Sequence, residues 1–79
     1  MTINEIAAKI NTVPEVKSVT VLGEDIVNIV TIKIDVSVRI VEGVFQVAVF
    51  YGDKMTKQFA VESVDEVIEN ILFEHKKYC

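Results

Sequence analysis

The chain has 79 residues, of which 51% are apolar and 25% are charged, and its net charge is −4. This length predicts one domain, residues 1–79, and a single cysteine at the last position, Cys79, excludes an internal disulfide. With one histidine as well, the sequence predicts no metal site and no cofactor. The acidic balance argues against nucleic acid as a partner. The sequence contains no run of about 20 apolar residues, so no membrane span is predicted.

A capping box starts the first predicted helix. Thr2 and Glu5 have the spacing at which each side chain accepts a hydrogen bond from the other residue's backbone. Pro14 disfavours helical geometry at the residue before it, so we expect the helix to end near residue 12. The apolar stripe that would face the core is Ile3, Ile6, Ala7 and Ile10.

Residues 15–22 have strand propensity, and Gly23-Glu24-Asp25 predicts a turn. Residues 30–41 then alternate between apolar and polar without error, which predicts one long strand with one buried face. Upstream of it, Val27 and Ile29 are apolar in the opposite phase. If they face the core opposite Val21 and Val19, a β-bulge near residues 29–30 is required.

A two-residue loop, Glu42-Gly43, would set every inward pair of the next hairpin apolar. The predicted pairs are Val41–Val44, Ile40–Phe45, Val38–Val47, Val36–Val49 and Ile34–Tyr51. For the following hairpin we prefer a three-residue loop, Gly52-Asp53-Lys54, because a two-residue loop would turn Thr56 and Gln58 inward. The pairs are then Tyr51–Met55, Val47–Phe59 and Phe45–Val61, and Lys57 points inward, as suits a residue near a sheet edge.

The last element is a helix that begins with a second capping box, Ser63 to Glu66. Its acidic residues lie in the first half and its basic residues at the end, which complements the helix dipole. Its predicted inward stripe is Val64, Val67, Ile68, Ile71, Leu72 and His75.

The predicted fold is therefore α+β, in the order α-β-β-β-β-α or α-β-β-β-α. An antiparallel meander carries both helices on its one apolar face. The order of elements resembles the double-stranded RNA-binding fold in topology alone. That family uses basic residues at the start of its second helix, where this chain has Ser63, Asp65 and Glu66, so we do not expect RNA binding.

Reactive residues are few. His75 lacks a nucleophile at a motif spacing, and we interpret it as a partly packed helix-terminal residue. We interpret Cys79 as incidental because it is terminal. The acidic group of residues 62–69 does not follow a calcium-loop pattern. These observations predict that the chain is not an enzyme.

Binding is expected on the outer, wet face of the sheet, where Phe50 stands out among polar residues. An outward aromatic residue either marks a partner interface or packs beside Met55 or a long side chain. Phe73 also lies outside the inward stripe of the last helix. The candidate partner-binding residues are Lys33, Asp35, Arg39, Val41, Val44, Gln46, Phe50 and Phe73.

The sequence is most consistent with a small protein-binding module, such as an inhibitor or regulator of the type that phages and mobile elements encode. A self-associating homodimer is the first alternative, and a small-ligand binder or enzyme subunit is the second. Without a signal peptide or paired cysteines, a cytoplasmic location is expected.

Overall fold

The computed structural model describes residues 2–78, and within that range the chain forms two helices and five strands. The elements in order are α1 (Ile3–Asn11), β1 (Val16–Leu22), β2 (Ile26–Thr31), β3 (Asp35–Val41), β4 (Val44–Tyr51), β5 (Lys54–Val61) and α2 (Val64–Lys77).

Across residues 2–78 the strands form one open antiparallel sheet in the order β1-β2-β3-β4-β5, so each strand pairs with its neighbours in the chain. Helices α1 and α2 cover the same face, and an ion pair links them, with 2.9 Å between Lys9 Nζ and Asp65 Oδ1. The predicted α+β fold with a meander and two helices is confirmed. The sheet has one strand more than the larger predicted number, because the long strand of residues 30–41 is divided.

The core lies between the inner face of the sheet and the two helices. Strand residues that alternate along β2, β3 and β4 are almost fully buried there, and Ile6, Ile10, Val67 and Ile71 pack onto them from the helices. The buried apolar residues of β2, β3 and β4 are Val27, Ile29, Val36, Val38, Phe45, Val47 and Val49. Each such side chain contributes about 1.5–3 kcal/mol by leaving water.

Both helices begin as predicted, with one difference. Thr2 and Glu5 form the complete capping box, with N–H to side-chain oxygen distances of 3.0 and 3.2 Å. At α2 the Ser63 hydroxyl accepts from the Glu66 N–H at 3.2 Å, but the Glu66 carboxylate accepts from that same hydroxyl rather than from the backbone. The acidic first turn and basic last turn of α2 are confirmed.

The predicted long strand is interrupted by a turn at residues 32–34. Thr31, at the end of β2, is buried, and its hydroxyl donates to the Ile34 carbonyl and accepts from the Ile34 N–H, both at 2.9 Å. The same hydroxyl accepts from the Lys33 N–H at 3.2 Å. One side chain thus satisfies the backbone groups that a continuous strand would have paired with its neighbours.

This turn explains the change of phase that the sequence shows. Odd-numbered residues face the core in β2 and even-numbered ones in β3, because the chain reverses between them. The pairs Val19–Ile29 and Val21–Val27 are confirmed. The predicted bulge near residues 29–30 is wrong, since pairing is regular there, and the irregularity of β1 lies between Val16 and Ser18 instead.

The β3–β4 hairpin has the predicted two-residue loop. Its pairs from Val41–Val44 to Val36–Val49 are confirmed, and the ladder ends at Asp35–Phe50, so the predicted Ile34–Tyr51 pair is not part of it. Both loop residues have positive φ, 50° at Glu42 and 79° at Gly43, as a hairpin turn that follows the twist of the strands requires.

The β4–β5 hairpin combines the two loops that the sequence allowed. The turn itself has two residues, because Tyr51 pairs with Lys54 and Phe50 with Met55. A bulge then restores the register of the longer loop, so Val47–Phe59 and Phe45–Val61 are confirmed. The predicted Tyr51–Met55 pair is wrong.

We expect Thr31→Val to destabilise the fold by about 1–3 kcal/mol, because it keeps the shape of the side chain but leaves the buried Ile34 N–H and the partly buried Lys33 N–H without their acceptor. Equilibrium urea unfolding followed by circular dichroism measures the change. Thr20→Val, on the exposed side of β1, is the matched control and should change stability by less than about 0.5 kcal/mol. Equal effects of the two variants would show that the hydroxyl does not hold the turn.

The Glu5 carboxyl provides a pH test of the first cap. Hydrogen bonds from the Thr2 backbone N–H, and then from its side chain, hold the pKa of Glu5 below its usual value. The contribution of the ionised Glu5 cap to the free energy of unfolding is therefore present above the pKa of Glu5 in the unfolded chain, about 4.3. It is lost as the pH falls through the lower pKa of Glu5 in the folded chain. Carboxyl NMR should give Glu5 a midpoint below about 4.3. Thr2→Ala removes the hydrogen bond of the side chain and keeps that of the backbone N–H, so it should raise the midpoint only part of the way. A wild-type midpoint at or above about 4.3 would contradict this account.

Candidate protein-binding face of the sheet

Both helices lie on the inner side of the sheet, so within residues 2–78 neither helix covers its outer face. Register places its side chains in rows that cross the strands. The first row is Ser18, Val30, Asp35, Phe50 and Met55, the second is Thr20, Asn28, Ser37, Ala48 and Gln58, and the third is Leu22, Ile26, Arg39, Gln46 and Ala60. Val41 and Val44 close the face at the β3–β4 hairpin.

A hollow of about 320 Å³ lies where the first two rows cross β2, β3 and β4. Asp35 stands between Val30 and Phe50 in the first row, and Asn28 pairs with Ser37 in the second. Rows are about 7 Å apart, and the second row carries the shorter side chains, so the hollow opens beside the Phe50 ring. Its lining joins a carboxylate, an amide, a hydroxyl and an aromatic ring.

Asp35 and Arg39 are the charged residues in these rows, and they differ in how they are paired. Arg39 Nε lies 3.4 Å from Asp25 Oδ2, in an exposed ion pair at the β1–β2 turn. Asp35 is exposed and makes no ion pair within residues 2–78. The outer face therefore presents a negative charge that is free to bind a cation.

The structure brings most of the sequence-predicted partner residues together. Asp35 pairs with Phe50, Arg39 with Gln46, and Val41 with Val44, each pair with its side chains on the outer face. Six of the candidates thus form a band along one hairpin, β3–β4.

Two candidates lie elsewhere. Lys33 is in the β2–β3 turn and not on the wet face of a strand. Phe73 is 61% exposed, but it belongs to α2, which lies on the other side of the sheet. A partner that covers the β3–β4 band would therefore not reach Phe73 at the same time.

Sequence reasoning missed Asn28, Val30 and Met55 as parts of this face. Val30 was assigned to the buried face of the long strand, and Asn28 was not assigned to the outer face. Met55 was assigned to the core, whereas it lies opposite Phe50 and is half exposed. The change of phase after Ile29 was the available signal, and a turn explains it as well as a bulge does.

A second polar cluster lies between α2 and β5. The Glu74 side chain is 1% exposed, and neither of its oxygens has a hydrogen-bond partner within residues 2–78. Lys57, the inward-pointing residue of β5, places its Nζ 3.6 Å from Glu74 Oε2 and 5.2 and 5.8 Å from the centres of the Phe59 and Phe73 rings. Lys57 lies half-exposed at the edge of the sheet, and from there its charge offsets that of the buried Glu74 carboxylate.

Other polar groups near the end of α2 also serve packing. His75 is half-buried as expected, with its Nε2 enclosed and without a partner in the described part of the chain. The Tyr51 and Tyr78 rings stack with centres 4.4 Å apart. Glu74, not His75, occupies the buried helix position one turn after Ile71. Cys79, which we interpreted as incidental, lies outside the described residues.

Neither helix between residues 2 and 78 is long and apolar enough to cross a membrane. The same residues contain no group of three or more histidine, cysteine or acidic side chains placed to hold a metal ion. No protein-family model, curated protein or solved structure matches the chain.

Lys57→Met should destabilise the fold by about 2 kcal/mol, because it leaves Glu74 buried without a counter-charge. Fully buried pairs lose about 3–5 kcal/mol on such a change, and Lys57 is half-exposed. Glu74→Leu should cost less, since Lys57 can turn its charge into water. The double variant should equal or exceed the wild type in stability.

Urea unfolding of the two single variants and the double variant forms a complete cycle. Lys54→Met, an exposed lysine of the same strand, controls for the change of residue type and should shift stability by less than about 0.5 kcal/mol. If Glu74→Leu cost as much as Lys57→Met, the asymmetry inferred from burial would be wrong.

Proposed function

We propose that this chain is a non-catalytic protein-binding module that acts through the outer face of its sheet, as an inhibitor or regulator of a larger protein. The supporting observation is that this face is uncovered within residues 2–78 although it carries Val41, Val44, Phe50 and Met55. These residues form two apolar pairs, Phe50 with Met55 at one end of the β3–β4 hairpin and Val41 with Val44 at the other. Exposed apolar residues grouped on one face of a small protein are typical of an interaction site.

The composition of the face supports the same proposal. Interfaces combine aromatic, methionine and arginine side chains with hydrogen-bonding groups. Here Phe50 and Met55 are adjacent, and Arg39, Gln46 and Asn28 lie in the neighbouring rows. This mixture can bury apolar area and select a partner through polar contacts.

Self-association is the alternative that the same face favours, because a second copy would cover the apolar residues equally well. A homodimer that pairs two β5 edges is less favoured than one through the outer face, because the inward-pointing charge of Lys57 discourages edge-to-edge association. A homodimer would therefore use the outer face or the β1 edge.

Phage and mobile-element products include many small inhibitors of host proteins, and we propose that class for this chain. Flanking genes of the same type would support it. Flanking metabolic genes would instead favour a subunit of an enzyme.

Affinity capture from native lysate with face variants tests the main proposal. We expect the wild type to retain a stoichiometric partner, Val41→Lys and Phe50→Lys to lose it, and Phe73→Lys to keep it, because Phe73 is equally apolar but lies on α2. Circular dichroism confirms that each variant is folded.

Two results would contradict the proposal. One is the absence of any stoichiometric partner, and the other is loss of the partner with Phe73→Lys alone. Sedimentation at tens of micromolar separates the alternative: a dimer that dissociates with Phe50→Lys would replace an external partner by a second copy.

A further inference from the structure

We infer that the hollow around Asp35 receives an arginine side chain of the protein partner. This inference rests on the proposed function, since it assumes that the outer face is the binding surface. It adds the chemistry that the partner must supply.

The lining of the hollow fits a guanidinium group. Asp35 and the Phe50 ring are cross-strand neighbours, and side chains in that relation lie about 4.5–5.5 Å apart at Cβ. A planar cation can stack on the ring while it donates two hydrogen bonds to the carboxylate. Asn28 and Ser37 line the same hollow and offer further oxygen acceptors.

Charge complementarity selects a cation over an anion or a neutral group. Asp35 is the charged residue among those that line the hollow, and it has no ion-pair partner in the described chain. The nearest basic residue in the rows, Arg39, is engaged with Asp25. The chain as a whole carries a net charge of −4, which also attracts a basic partner.

Two features favour arginine on a polypeptide over lysine or a small amine. Arginine is planar and binds a carboxylate through two parallel hydrogen bonds, whereas lysine is a compact and strongly hydrated charge. Val30 and Met55 flank Asp35 and Phe50 in the same row. Val30 and Met55 would contact apolar residues that lie next to the arginine in a peptide. A free amine has no such neighbouring residues.

The test is an NMR titration of the full, ¹⁵N-labelled chain with the peptide acetyl-Val-Arg-Val-amide. We expect saturable amide shifts centred on residues 28–30, 35–37 and 50–52, with a dissociation constant on the order of millimolar. The peptide with citrulline in place of arginine has nearly the same shape without the charge and should bind at least about tenfold more weakly. Binding should also weaken as salt is raised.

Asp35→Asn should raise the dissociation constant at least about tenfold. Glu42→Gln removes one negative charge from the far end of the same hairpin and is the matched control, so it should change the constant less than about twofold. The lysine peptide and agmatine, a small guanidinium compound, should both bind more weakly than the arginine peptide.

Equal binding of the arginine and citrulline peptides, or retention of affinity in Asp35→Asn, would overturn the inference. Agmatine binding as tightly as the peptide would also overturn the inference, since the site would then bind a small cation and not an arginine of a polypeptide. A captured partner lost with Phe50→Lys but kept with Asp35→Asn would leave the proposed function standing and remove this inference alone. Failure to capture any partner counts against the proposed function, and the peptide titration still decides the chemistry of the hollow.

Discussion

The helices cover only one face of the sheet, so every hairpin must return the chain with its apolar residues on that face. A slip of one residue at any turn would exchange the buried and exposed sets of the next strand. The observed register avoids this from β1 to β5, with Val19, Ile29, Val36, Val49 and Lys57 aligned across the inner side. Lys57 is the one polar member of that row, and the buried carboxylate of α2 compensates for it.

Different hairpins keep this register by different means. The β2–β3 turn depends on a threonine hydroxyl that bonds two backbone N–H groups and one carbonyl. The β3–β4 turn depends on two residues with positive φ, Glu42 and Gly43. The β4–β5 connection uses a tight turn, and an extra residue in β5 corrects the phase that the turn alone would give. The outer face is therefore equally well ordered, and the row containing Asp35 and Phe50 inherits its alignment from the core.

How far the sequence predicts this structure depends on whether a feature is local. Both helix starts and the β3–β4 register follow from short signals, namely the cap residues and Glu42-Gly43. The β2–β3 turn was missed because Ile32-Lys33 contains no glycine, proline or asparagine, and alternation continues through it. The burial of Glu74 was missed because its counter-charge, Lys57, lies outside the helix on β5, where the pattern of α2 alone does not show it. The candidate site was recovered where it lay on β3–β4. Asn28 and Val30 were missed because of the β2–β3 turn, and Met55 was missed because of the bulge that follows the β4–β5 turn.

The meander also bears on how the chain folds. Each strand pairs only with strands next to it in sequence, so every ladder within the sheet closes a short loop. Closing short loops costs little conformational entropy, and proteins dominated by such contacts fold faster than sheets with distant pairings. Each hairpin can therefore form without a pairing between distant parts of the chain. The face of β3–β4 that we propose to bind a partner lies on the central hairpin, so its alignment depends only on ladders between strands that are adjacent in the chain.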